Sequence, residues 1–165
     1  MFITLEGIDG SGKTTQAELL AKALGDDTVL VREPGGTAAS ERIRELVADP
    51  GVALDPVAEL LLFCASRAQL VAEVIRPALD AGRYVVCDRF SDSTAAYQGA
   101  ARGVSVEIAV SVNLVATGRL DPLSHLARLG LELTAYADDV GSCTRQSLGH
   151  RQPDAGEEGD PAPSL

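Results

Sequence analysis

Eight consecutive residues, Gly7-Ile8-Asp9-Gly10-Ser11-Gly12-Lys13-Thr14, follow the spacing G-x-x-x-x-G-K-[ST]. The chemistry open to that spacing is the binding of a nucleoside triphosphate. The glycines let backbone N–H groups turn inward around phosphate oxygens, and a helix starting at Lys13 aims the positive end of its dipole at the same point. Lys13 then reaches the β and γ phosphates, Thr14 offers a hydroxyl to Mg²⁺, and Thr15 stands near the α-phosphate. A second acid fits the same chemistry. Tyr84-Val85-Val86-Cys87-Asp88 reads as buried positions followed by a carboxylate, and an Asp at the C-terminal end of such a strand lies near the metal and the phosphates. Taken alone, a strand-ending Asp is more often a turn residue; the neighbouring loop is what gives Asp88 a functional reading.

The elements that must position these residues are legible. Phe2 to Glu6 is a short apolar run ending in Gly7, a buried-strand pattern. Ala17, Leu20, Ala21 and Leu24 repeat at the helical period, which predicts a helix from Lys13 to Leu24, stopped by Gly25. Thr28 to Arg32 is a second strand, and Pro34-Gly35-Gly36 a turn. Thr37 or Ser40 caps the next helix, which ends near Asp49-Pro50-Gly51. Asp55-Pro56 opens a long helix, Asp as N-cap and Pro in the first turn. It runs to about Ala81 with Gly82 as its stop, and Pro77 is predicted to bend its last turn. Tyr84 to Cys87 is a third strand, a short helix follows through Tyr97, and another spans about Ser105 to Thr117. The alternation predicts an α/β sandwich around a parallel sheet.

Composition sets limits on the rest. A chain of 165 residues, 45% of them hydrophobic, is long enough for one domain with a real core. With aromatics at 4% and no Trp, aliphatic side chains and Ala must fill it. A net charge of −10 argues against a nucleic-acid partner. No apolar run reaches membrane-spanning length, and Met-Phe-Ile-Thr-Leu-Glu lacks a basic leader region, so no membrane partner and a cytoplasmic location are expected. Cys64, Cys87 and Cys143 lack metal-ligand spacing; Cys64 and Cys87 read as reduced core residues. His125 and His150 are isolated and read as structural or solvent-facing. Residues 1–120 carry 16 acidic and 11 basic groups, whereas 121–165 carry 8 and 3, the same net of −5 in far fewer residues. The pattern also fails there: Leu123 to Thr134 has no clean period, and Gln152 to Leu165 is poor in apolar residues and reads as disordered. The expected organisation is a core over 1–120 and a divergent tail over 121–165.

A phosphate loop alone does not choose among kinases, GTPases and ATPases. Here there is no Asn-Lys-x-Asp guanine signature and no well-placed Asp-x-x-Gly. Four segments, in order and spacing, resemble the bacterial thymidylate kinase family: Glu6 to Gln16; Arg32-Glu33-Pro34-Gly35-Gly36-Thr37; Phe63 with Arg67 and then Gln69-Leu70; and Asp88-Arg89-Phe90 followed by Ser93-Thr94 and Ala96-Tyr97-Gln98-Gly99. The likeness covers about residues 1–120. It implies a three-layer nucleoside monophosphate kinase-like sandwich with a parallel sheet, incomplete at the C-terminus, and transfer of the ATP γ-phosphoryl group to dTMP with Mg²⁺. A homodimer through the long helices is a usual family property.

The resemblance also distributes roles. Lys13, Arg89 and Asp9 would act catalytically, Arg89 gripping the dTMP phosphate with its planar guanidinium and Asp9 facing the sugar 3′-hydroxyl and the phosphates. Gly7, Ile8, Asp9, Gly10, Ser11, Gly12, Lys13, Thr14 and Thr15 would hold ATP, and Thr14 and Asp88 the metal. Phe63 would stack on thymine and Arg67, one turn on, donate to its O4. Thr94 and Gln98 would bond the base, Tyr97 would pack against the 2′ side of the sugar, and Glu33 and Pro34 would line the acceptor pocket. Each has a plainer reading: Phe63 as core, Arg67 as a solvated arginine, Tyr97 as a half-buried anchor. Arg42, Arg44, Glu41 and Glu45 read as a solvated helix face.

The family pattern breaks after Leu120. Position 10 is Gly and position 11 Ser, so the arginines that neutralise the transferring phosphoryl group are expected from a mobile lid. No arginine-rich lid and no following strand are recognisable in 121–165, as a shifted reading frame or a truncated copy would produce. Three readings follow: a thymidylate kinase, a non-catalytic nucleotide-binding remnant of one, or another phosphate-loop NTPase.

Overall fold

The structure is a computed structural model that describes residues 1–91, 104–120 and 122. The chain divides into two units, Met1–Ala135 and Tyr136–Leu165, and every described residue belongs to the first. Thr94, Tyr97, Gln98, Cys143, both histidines and the short helix expected through Tyr97 lie outside the described residues.

Three parallel strands, β1 (Phe2–Leu5), β2 (Thr28–Arg32) and β3 (Tyr84–Asp88), pair in the order β1-β3-β2. Phe2 is in register with Val85 and Leu5 with Asp88 on one side; Thr28 matches Tyr84 and Arg32 matches Asp88 on the other. All three strands therefore end level, and the loops that leave them meet along one edge of the sheet, where ligands bind in open parallel sheets. Among the described residues β1 pairs only with β3.

Helix α1 (Lys13–Leu24) follows β1 and packs on all three strands. After β2 come α2 (Ala38–Ala48) and α3 (Pro56–Leu70). The side chain of Thr37 caps α2 by accepting from Ser40 N at 3.1 Å, and Asp55 caps α3 by accepting from Val57 N at 2.8 Å. Helix α3 runs on through a π-helical turn (Val71–Ile75) into α4 (Arg76–Asp80). The bend expected at Pro77 takes this form. Proline lacks an N–H and its ring would strike the carbonyl four residues back; widening the preceding turn by one residue relieves both problems. Helix α5 (Val106–Thr117) is capped by Ser105 and lies against α3.

Side chains on β3 explain the layering. Val85 and Cys87 alternate onto one face and pack with Phe2, Val31, Leu70, Val71, Ile75, Ala78 and Phe90 into a single core. Val86 is equally buried and, one residue out of phase, faces the opposite side, where α1 lies. Helix, sheet and helix form the three layers that the family resemblance implies. Leu60, Cys64, Val104 and Ala109 join α3 to α5 in a second cluster. Cys64 and Cys87 are reduced and buried, as expected. Among the described residues no helix is long and apolar enough to cross a membrane.

The turn after β2 is built around Gly36. Its φ is +87°, and a Cβ there would lie 2.8 Å from Leu70 Cδ1 in the core. Gly36→Ala is expected to lower the unfolding free energy by about 1–3 kcal/mol, from backbone strain and from the shift forced on Leu70. Urea titration of the two proteins checks this; an equal midpoint would mean that the turn relaxes at no cost.

Candidate active site

The loop from Gly7 to Gly12 leaves β1 at the sheet edge and turns with positive φ at Gly7, Gly10 and Gly12. Gly12, in the left-handed region, is the N-cap of α1, so the helix starts at Lys13 with its first N–H groups aimed into the loop. Lys13 is buried, and its ammonium donates to Ile8 O at 2.6 Å and to Ser11 Oγ at 3.4 Å. The loop's own carbonyl thus holds the cation against the loop.

Thr14 and Asp88 meet as the sequence predicts. Thr14 Oγ1 donates to Asp88 Oδ2 at 2.6 Å. A hydroxyl that spends its proton on a carboxylate keeps its lone pairs for a cation. Asp88 is buried, and its Oδ1 has no hydrogen-bond partner among the described residues. An orphaned buried carboxylate oxygen beside an oriented hydroxyl is a hard-oxygen donor pair of the kind Mg²⁺ takes, with water and phosphate oxygens completing the shell. The residues present fit that ion.

Asp88 is followed by a sharp change of direction. Arg89 has φ +73°, a strained value for a residue with a side chain. Its N–H is tied to Leu5 O at 3.0 Å, and the Cys87 thiol donates to its carbonyl at 2.9 Å. The turn sends two neighbours in opposite directions. The Arg89 guanidinium runs outward into an ion pair with Asp9 of the phosphate loop. Phe90 runs inward, its ring edge-on to Phe2 at 5.0 Å and its N–H donating to Glu6 Oε1 at 2.7 Å.

Beneath this turn lies a buried polar cluster. Glu33 extends the ladder beyond β2, its N–H bonding Asp88 O at 3.0 Å. Its Oε2 accepts from Arg67 Nε at 2.8 Å and also from Nη2. Arg67 Nη2 donates in addition to Phe90 O at 3.0 Å, Nη1 donates to Asn113 Oδ1, and the guanidinium lies 5.2 Å from the Phe90 ring centroid. Arg67 is only 2% exposed, which replaces the plain reading of a solvated arginine. Burial raises the Glu33 carboxyl to about 7 against the opposing pull of Arg67, and burial likewise pushes the Cys87 thiol well up. Phe63, one turn before Arg67 on α3, and Pro34 are half-buried.

Two groups here were not legible as site residues. Arg44 and Glu41 on α2 are more than a solvated face: Arg44 Nη1 donates to Pro34 O at 2.9 Å, and Glu41 Oε1 accepts from Gly36 N at 2.8 Å. Together they brace the Glu33–Gly36 turn from outside. Asn113, only 5% exposed on α5, meets Arg67 from the opposite side to Glu33; its only advance signal is a lone carboxamide in an apolar helix.

A strand, a glycine loop and a helix carrying Gly-Lys-Thr, with an aspartate from the neighbouring parallel strand bonded to that Thr, define a phosphate-loop fold of the kinase-like α/β type. The family model described as thymidylate kinase matches residues 5–122, and the chain belongs to that family. It is 51% identical over 125 residues to a thymidylate kinase of Deinococcus radiodurans, a match that covers 74% of this chain and 61% of that protein. It is 48% identical over 160 residues to one of Desulfovibrio desulfuricans, covering 94% of this chain and 70% of that protein. This second similarity extends past the end of the family model. The crystal structure of a thymidylate kinase from Ehrlichia chaffeensis superposes with a TM-score of 0.68 at 44% identity, over 73% of this chain and 70% of that one. The chain thus spans 61% to 70% of the length of these relatives.

Proposed function

We propose that the described fold is the nucleotide-binding core of a dTMP kinase, which transfers the γ-phosphoryl group of ATP to dTMP and yields dTDP and ADP. The observation that carries this is the meeting of two half-sites at one turn, where Arg89 reaches the phosphate loop through Asp9 and Phe90 reaches Arg67 through its carbonyl. A donor phosphate and an acceptor nucleotide would therefore face each other across residues 88–90.

In this reading Gly7 to Thr15 cradle ATP, and Lys13 neutralises charge on its outer phosphates. Thr14 and Asp88 hold Mg²⁺, which when bound screens the phosphate charges. Arg89 grips the acceptor phosphate in two places, with Asp9 orienting the guanidinium until substrate arrives. Phe63 stacks on the base, Arg67 donates to a base carbonyl, and Glu33 and Pro34 close that pocket. Thr94, Tyr97 and Gln98 complete it.

ADP release from MgATP, measured with dTMP, dUMP and dCMP as acceptors, tests the proposal. Turnover that needs an acceptor and prefers dTMP is expected. Binding of ATP and dTMP without ADP release would replace it with a non-catalytic nucleotide-binding role. Release indifferent to any acceptor would point to another phosphate-loop NTPase.

A further inference from the structure

We infer that Asn113 is a positioning residue for the base-reading arginine: it fixes the rotation of the Arg67 guanidinium and so sets discrimination between pyrimidine nucleotides with a 4-oxo and a 4-amino group. The inference rests on the proposed assignment of Arg67 to the base.

A guanidinium is planar and carries donors only. Its hydrogen bonds to the site are set by the orientation of that plane about the side chain's long axis. Glu33 holds one edge of it, both Nε and Nη2 converging on a single carboxylate oxygen, Oε2. Nη2 also reaches Phe90 O. The opposite corner, Nη1, is held by Asn113 Oδ1. Three separate pieces of the fold thus grip one group: the turn after β2, the residue pair after β3, and α5.

Asn113 is placed for this by the way α5 lies. Ala109, Asn113 and Thr117, spaced by four, form the buried face of the helix. Ala109 packs against α3, and Asn113, one turn on, stands beside Cys64 and Arg67 on that helix. A buried carboxamide costs free energy unless bonded. Here Oδ1 accepts from Arg67 and from the Cys64 thiol, at 3.5 Å for the latter. Because Arg67 offers no acceptor, the amide oxygen must be the atom that faces it, and the carboxamide has one orientation.

The consequence is selectivity. An N–H held toward the base edge pairs with a 4-oxo group and opposes a 4-amino group, which is itself a donor. With the Nη1 corner released, that edge of the guanidinium is held less firmly and discriminates less.

The test measures dissociation constants of dTMP and dCMP for the full chain by calorimetry, alongside melting curves. Asn113→Leu, with Asn113→Ala as a smaller second choice, is expected to cut the dTMP-over-dCMP preference about tenfold, the loss expected for a charge-assisted hydrogen bond. Asn113→Asp keeps an acceptor toward Arg67 and is expected to restore the preference. A folded Leu or Ala variant with the wild-type preference overturns the inference, as does failure of both to fold while Asp folds, which would make Asn113 a structural residue. The variant Glu33→Gln/Arg67→Met separates this from the parent assignment. If it too keeps the wild-type preference, or if the wild type binds dTMP no better than dCMP, Arg67 does not read the base and both ideas fall. If the double variant loses the preference and Asn113→Leu keeps it, only the role of Asn113 falls.

Discussion

Lys13→Ala is expected to reduce dTMP-dependent ADP release about a thousandfold or more while leaving the fold in place. The side chain contributes little to stability that the loop does not supply otherwise: its nitrogen bonds Ile8 O and Ser11 Oγ, both within five residues. Losing these contacts costs about 1 kcal/mol, the net worth of an ordinary hydrogen bond. Its catalytic contribution is of another size. In phosphoryl transfer nearly all acceleration comes from positioning and from fixed positive charge around the phosphates, and deleting one such group costs roughly 10²–10⁵ in rate. Lys13→Arg is not expected to rescue, because a wider planar fork does not fit a ring closed by the carbonyl of Ile8. The measurement is a coupled ADP assay with far-ultraviolet circular dichroism as the control for folding. Activity within tenfold of wild type, in a folded variant, would remove Lys13 from the proposed chemistry. Arg67 variants should behave differently, losing acceptor affinity while ATP affinity stays near wild type.

How much of this was readable beforehand differs from residue to residue. The phosphate loop, the three strands and the caps at Thr37 and Asp55 rest on short-range rules, in which each residue's backbone preference and its neighbours suffice. Thr14 and Asp88, 74 positions apart, can be paired from sequence because the strand-loop-helix unit and the parallel ladder leave an Asp at that position few other neighbours. The polar cluster was less legible. Hydrophobic periodicity would turn the apolar side of α5 inward, yet Ile108, Leu114 and Val115 are exposed while Asn113 and Thr117 are buried. Asn113 takes the inner face where Arg67 is buried and needs an acceptor. No local pattern announces that need, since it comes from α3. The braces Arg44 and Glu41 are hidden in the sequence for a similar reason: the helix face they share with Arg42 and Glu45 looks solvated, and the groups they bind are backbone atoms of a turn.

Arg67→Met is expected to destabilise the protein by about 3–5 kcal/mol at pH 8.5 and by clearly less at pH 5.5. Removing one partner of a buried pair costs that much when the other is left charged in a low-dielectric interior. The pH dependence comes from Glu33. Its carboxyl is raised from 4.5 to about 7 in the folded protein, so the native state binds more protons than the unfolded one across that window. Stability conferred by the neutral carboxyl is complete below about 4.5 and is lost as pH rises through about 7. At about 1.4 kcal/mol per unit, the stability difference between wild type and Glu33→Gln should shrink by roughly 3 kcal/mol between pH 4.5 and 7, to the disadvantage of the wild type. Without Arg67, whose charge and hydrogen bond both lower the Glu33 value, the carboxyl rises further. The variant then carries a neutral Glu33 at pH 5.5, with Asn113 Oδ1 and Phe90 O short of a donor, but must bury an uncompensated anion or bind a proton at pH 8.5. Glu33→Gln/Arg67→Met removes that anion and should recover most of the loss at high pH and little at low pH. Urea unfolding of the four proteins at both pH values decides the matter. A loss for Arg67→Met that is the same at pH 5.5 and 8.5 would mean that Glu33 does not titrate in this range, and that Arg67 stabilises the fold by packing alone.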